Sequence, residues 1–152
     1  MIKFVSGDIL KATTGYIAHG VAEGNQEGLG TGLALKISTK CPGVQILFKK
    51  HARSGKFKGG NIWICEPNNY RPGFVYLATQ KNMFHANAPY LRKSIKRLSK
   101  WAEVNKIALV HLPKVGAGLG KLSWFNDVKP IFEEYLKKHN TFFKVYEDYK
   151  LE

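Results

Sequence analysis

The run KIALVHLP, residues 106–113, constrains the fold more than any other stretch. Successive side chains of a strand point to opposite faces, and here both faces are apolar. Such a strand sits inside a sheet covered on both sides, as in parallel sheets with helices above and below. A glycine-rich bend follows at once, in PKVGAGLGKLSW (113–124), and then a helical pattern. Strand, glycine loop and helix together present backbone amides and a helix N-terminus to an anion. The nucleotide-binding pattern G-x-x-x-x-G-K-[ST] nevertheless fails: Leu122 follows Gly120 and Lys121, and Val115 stands where the first glycine belongs.

The remaining patterns fill in the elements around that strand. MIKFVSGD, with alternating Ile2 and Phe4, reads as a strand ending at Asp8, and GYIAHGV (15–21) as a second. Gly28, Gly30 and Gly32 precede LALKISTK, an amphipathic segment that Pro42 ends or kinks, because proline disfavours helix just before it. GVQILFKKHARSG is helical up to Gly55. GNIWICE (60–66) and GFVYLATQ (73–80) are β-rich runs joined by the hairpin punctuation of PNNYRPG. Ala88, Leu91, Ile95, Leu98 and Ala102 recur at helical steps as one buried stripe. In VKPIFEEYLKKH, residues Val128, Ile131, Phe132, Tyr135 and Leu136 face inward, with Asn126 as the cap that lets Pro130 sit in the first turn. TFFKVYEDY closes as a strand. The order β β α α β β α β α β predicts one α/β domain over residues 1–152, with ligands bound past the carboxyl ends of its strands.

Composition narrows the class of partner. A chain of 152 residues, 44% hydrophobic, can bury a real core. Its net charge is +13, and between Gly28 and Ala102 the only acid is Glu66, against fourteen Lys and Arg residues. Such a field attracts polyanions or anionic metabolites, so nucleic acid is a candidate partner, with simple solubility the bland alternative. The apolar runs are strand-sized and no leader pattern opens the chain, which predicts a cytoplasmic monomer without membrane contact. Cys41 and Cys65 read as buried thiols, with a single disulfide the alternative, and the five histidines show no ligand spacing. No metal and no cofactor are expected.

Three segments lie at predicted strand ends: Asp8, HGVAEGNQEGLGTG and PKVGAGLGK. With KFVSGDIL, VYLATQK and FKVY in the same order, they resemble the macrodomain superfamily over essentially the whole chain. The similarity is strongest to small stand-alone members that remove terminal ADP-ribose or process ADP-ribose 1″-phosphate. The resemblance implies a three-layer α/β/α fold with a central mixed, mostly parallel six-stranded sheet. It further implies an ADP-ribose site. Asp8, next to Ile9, would accept from the adenine amino group, and Tyr146 would pack by the adenine. The diphosphate would lie between Gly28, Leu29, Gly30, Thr31 and Gly32 on one side and Val115, Gly116, Ala117, Gly118 and Leu119 on the other, with Gln80 also in the site. Glycines allow that close backbone approach. Local sequence alone fits Asp8 equally well as a turn residue or helix cap, and each glycine as an ordinary turn.

The chain departs from the glycohydrolases it resembles where they place a catalytic lysine and aspartate. Those positions hold Gln80 and Gly120, and neither can form an imine or accept a proton. Lys81 follows, but on a regular strand it points to the opposite face, so only a bulge or strand end would bring it round. Lys121 would reach a phosphate, and His85 would approach the same end of the cleft. His19, Glu23 and Asn25, in or beside the first loop, are the candidates for orienting water. The expected function is an ADP-ribose-binding macrodomain that hydrolyses ADP-ribose from a modified protein or nucleic acid. A non-catalytic ADP-ribose binder and an ADP-ribose 1″-phosphate phosphatase are the alternatives.

Overall fold

Strand β1 (Ile2–Gly7) opens the chain in a computed structural model that describes residues 1–24, 32–82, 84–118 and 120–149. A 3-10 turn (Ile9–Lys11), β2 (Tyr16–Ala22), α1 (Gly32–Lys40), α2 (Pro42–Arg53) and β3 (Ile62–Cys65) follow. Then come β4 (Gly73–Asn82), the two-residue β5 (His85–Ala86), α3 (Ala88–Val104) and β6 (Leu109–Pro113). A π-turn (Trp124–Val128), α4 (Lys129–Leu136) and β7 (Phe142–Tyr149) complete the order.

The strands lie in the order β1-β7-β6-β2-β4-β3, with β5 paired to the far end of β4. Neighbours from β1 through β4 run parallel, whereas β3 and β5 pair antiparallel with β4. The sheet is therefore mixed and mostly parallel, as expected, with β5 added to its six main strands.

Strand alternation makes the three layers. On β4, Val75 and Leu77 join the cluster formed with Leu91, Ile95 and Leu98 of α3 and Ile131, Phe132 and Leu136 of α4. Phe74, Tyr76 and Ala78, pointing the other way, join Ala34 and Ile37 of α1 and Val44, Phe48 and Ala52 of α2. Strand β6 lies between β7 and β2, and its Val110 and Leu112 are fully buried. The double-sided apolar pattern of KIALVHLP thus corresponds to an interior strand.

Local chemistry corrects two expectations. Ala88 is exposed, because it opens α3 beyond its buried stripe; Asn87 caps that helix by accepting from Tyr90 N at 3.0 Å. Asn126 does not cap the last helical segment. Ser123 does, accepting from Asn126 N at 3.2 Å, while Asp127 Oδ2 accepts in return from Ser123 N at 2.7 Å. This reciprocal arrangement satisfies the donors of a π-turn that precedes α4, so Pro130 still falls in a first turn. Both cysteines are free, Cys65 buried and Cys41 half-buried. Among the described residues, no helix is long and apolar enough to cross a membrane.

Candidate functional site

The carboxyl ends of β2, β4 and β6 open into a cleft of about 770 Å³, including its open mouth. His19, Gly20 and Ala22 form one wall, Gly32 and Leu33 of α1 another, and Gln80, Lys114, Val115, Gly116, Gly118 and Gly120 the third. A second groove of about 580 Å³ adjoins it through Gly32, Leu33 and Pro113, and adds Asp8, Ile9, Lys36 and Tyr146. Apart from Glu23 and Ala117, the described residues of the expected site thus meet along one continuous groove, with Asp8, Ile9 and Tyr146 at one end and His19 and Gln80 at the other.

At the first end, Asp8 is 9% exposed and its Oδ1 accepts from Leu10 N at 3.0 Å, capping the 3-10 turn. The cap uses one carboxylate oxygen. Tyr146 is fixed by its neighbour strand: its hydroxyl lies 2.9 Å from His111 Nδ1, and His111 Nε2 lies 3.1 Å from Thr14 O. A carbonyl only accepts, so Nε2 carries the proton and Nδ1 accepts from the tyrosine hydroxyl. Burial lowers the His111 pKa, which favours this neutral ring.

In the middle, Gly116 has φ +80° and starts the bend that Leu122 N→Gly116 O, 2.9 Å, closes. The amides of Gly116, Gly118 and Gly120 donate to no group among the described residues. Nothing lies within 4 Å of the side chain that Gly118 lacks, so this bend is open on its outer side. Gly32, with φ +57°, starts α1, whose first-turn amides have no partner within the helix. Amides and helix terminus together supply partial positive charge, and Lys114 adds a full one. Ala117 packs toward the core instead of lining the groove.

At the other end, His19 is 2% exposed, with both ring nitrogens unpartnered among the described residues and its ring edge-on to Tyr76. Burial lowers its pKa to about 3, so the ring is neutral at any ordinary pH. Beside it, Gln80 Nε2 donates to Asn82 O at 2.9 Å.

Glu23 is placed differently. Tyr90 OH donates to its Oε2 at 2.9 Å and Gly59 N to its Oε1 at 3.2 Å, behind the cleft wall. Lys81 is exposed and does not line the cleft, although β4 is bulged here: its register slips beside Thr79 against β2 and beside Lys81 against β5. Lys121, with φ +68°, and His85 are exposed and also outside the lining. At Gly120 a Cβ would stand 2.7 Å from both Ala86 Cβ and Gly116 O, so the backbone excludes any side chain without rearrangement. Asn25, Gly28, Leu29, Gly30, Thr31 and Leu119 lie outside the described residues.

Sequence reasoning missed Lys114, Lys36 and Leu33. The last two are one turn apart on α1 and share a face with its glycine start, a spacing legible in GLALK. Lys114 lies inside the 113–122 bend, where the glycines carry the stronger signal. Among the described residues, no group of three His, Cys, Asp or Glu side chains is placed to hold a metal ion.

Sheet order, layers and groove together define a macrodomain fold. The chain superposes on the macrodomain of Thermus aquaticus DarG with a TM-score of 0.85 and 25% identity, over 97% of this chain and 98% of that one. By sequence it is 28% identical over 147 residues to the ADP-ribose glycohydrolase OARD1 of Bos taurus, covering 95% of this chain and 90% of the relative. It is also 26% identical over 141 residues to a DNA ADP-ribosyl glycohydrolase of Thermus aquaticus, covering 90% of this chain but 38% of that protein. No family model matches the chain.

Proposed function

We propose that the chain binds ADP-ribose along the groove and releases it by hydrolysis from an ADP-ribosylated macromolecule. The continuity of the groove carries this reading. In this reading Asp8 and Tyr146 recognise the adenine, the undonated amides and the start of α1 hold the diphosphate, and the His19 and Gln80 end takes the distal ribose, all of them lining the groove. The names of the relatives, ADP-ribose glycohydrolase and DNA ADP-ribosyl glycohydrolase, support the same ligand and bond. The Gln80 carboxamide orients hydroxyls or water without carrying charge. The His19 ring nitrogens are sealed from solvent and a ring held to a pKa near 3 is a weak base, so its role is to shape the cleft floor against Tyr76. Glu23, held by Tyr90 and Gly59, braces the wall from which the first loop departs.

A non-catalytic binder is the second reading, favoured by the closed backbone at Gly120, where the resembled enzymes carry an aspartate. Calorimetry with ADP-ribose tests binding, and incubation with ADP-ribosylated DNA, RNA and protein, and with ADP-ribose 1″-phosphate, tests turnover. The hydrolase reading expects release from one substrate class, lost in His19→Ala or Asn25→Ala and kept in Lys81→Ala. Binding without turnover leaves the binder; no heat of binding overturns both.

A further inference from the structure

The positive charge is concentrated around one edge of the sheet. Helix α2 ends in Lys49, Lys50 and Arg53, and the loop to β3 carries Lys56 and Lys58. On α3, Arg92, Lys93, Lys96, Arg97 and Lys100 are all exposed. The two helices cover opposite faces of the sheet, and β3, its edge strand, runs between them. The cations therefore form a belt that wraps the edge.

Most of this charge is unbalanced. Arg92 pairs with Glu134, and Arg97 donates to Gly60 O and Asn61 Oδ1 at 3.1 and 2.8 Å. Among the described residues, Lys50, Lys56, Lys58, Lys93, Lys96 and Lys100 pair with no carboxylate. Helix α3 sets Arg92 against Lys96, Lys93 against Arg97 and Lys96 against Lys100, all at the i, i+4 spacing where like charges repel. A polyanion on the belt would relieve that repulsion.

The belt reaches the Gln80 end of the cleft. Gly24 N donates to Phe57 O at 2.5 Å, Gly59 N to Glu23 Oε1 at 3.2 Å and Gly60 N to Ala78 O at 2.8 Å. These bonds tie the loop bearing Lys56 and Lys58 to the ends of β2 and β4. Lys93 packs against Gly60, where an added Cβ would lie 2.5 Å from its Cδ.

We propose that this belt binds the phosphodiester backbone of a nucleic acid strand, so that an ADP-ribosylated nucleotide on that strand enters the cleft at its Gln80 end. The second clause rests on the ADP-ribose reading above; the first does not. A strand can follow cations around an edge onto two opposite faces. A flat lipid surface touches one face at a time.

The test is fluorescence anisotropy with an unmodified, labelled 20-nucleotide single strand, as DNA and as RNA, across a salt series. Four phosphate contacts predict about fifty-fold weaker binding at 200 than at 50 mM salt. In Lys56→Ala/Lys58→Ala/Lys93→Ala the slope of log K against log salt falls by about 2, while the thermal shift given by ADP-ribose is unchanged. In Lys137→Ala/Lys138→Ala, beyond α4, the slope stays as in the parent. Absence of binding at 50 mM salt, or an unaltered slope in the triple variant, overturns the proposal. So does equally tight binding of polyglutamate or phosphatidylserine vesicles. Loss of the ADP-ribose shift in the parent protein would instead overturn the cleft reading and leave the belt standing.

Discussion

Asp8 combines two assignments that its local sequence left open. One oxygen caps the 3-10 turn, and the carboxylate also lines the groove. Replacing it with alanine removes a cap, which costs about 0.5–2 kcal/mol, and removes the charged acceptor that the proposed reading offers to an adenine amino group. Asparagine keeps an oxygen for the cap. Denaturant titrations are therefore expected to show Asp8→Ala destabilised and Asp8→Asn close to the parent. Calorimetry is expected to show ADP-ribose affinity at least tenfold weaker in Asp8→Ala, and unchanged affinity would remove the residue from the adenine site. His19 gives the second residue-scale prediction. Its pKa falls from 6.5 to about 3 on burial, so below pH 6.5 the unfolded chain takes up a proton that the folded chain refuses. Its contribution is complete above pH 6.5 and is lost as pH falls toward 3. From pH 7 to pH 5 the loss from this ring is about 2 kcal/mol. His111 and His51, also lowered by burial, add to it in the same direction. In His19→Phe, urea unfolding at the two pH values is expected to show a smaller difference; an equal difference would mean that His19 is not the group titrating.

At the scale of elements, the junction of β2, β4 and the 113–122 bend decides the shape of the cleft floor. The register of β2 on β4 passes from Val21↔Ala78 to Ala22↔Gln80, leaving Thr79 as the extra residue of a bulge. Thr79 is fully buried, and the space it occupies exists because residue 20 is glycine. A Cβ there would stand 2.4 Å from Thr79 Oγ1 and 2.8 Å from Val115 Cγ1. Gly20→Ala is thus expected to cost about 1–3 kcal/mol as overpacking and, by displacing Val115, to weaken ADP-ribose binding. Gly118→Ala meets nothing within 4 Å and serves as the control for stability. Elements long enough to show a period were legible in the sequence: α3 from its apolar stripe, β6 from its double-sided pattern, and the β3–β4 hairpin from its turn residues. The 3-10 turn, β5 and the π-turn were not, since two to five residues display no period and their hydrogen bonds depend on distant partners. The bulge was foreseen only as the condition under which Lys81 would change face. The room it needs, left by a glycine one strand away, depends on a tertiary contact.

Across the whole molecule, the layered fold and the groove were legible because glycine bends and strand ends recur together along the chain. The site's departures were legible as letters, with Gln80 and Gly120 in unexpected places. Their meaning was not. Only packing reveals that Ala86 closes position 120 and that Tyr90 and Gly59 take up the carboxylate of Glu23. The charge excess was also plain in the composition, but the gathering of its largest share along one rim required the chain to be folded. That rim contains β3, which pairs only with β4 among the described residues and so presents a row of unmatched amides and carbonyls. Exposed rows of this kind invite a second molecule to zip alongside. The surrounding lysines would make two such borders repel at low ionic strength. Concentrated salt, by masking that repulsion, would let the bare borders meet.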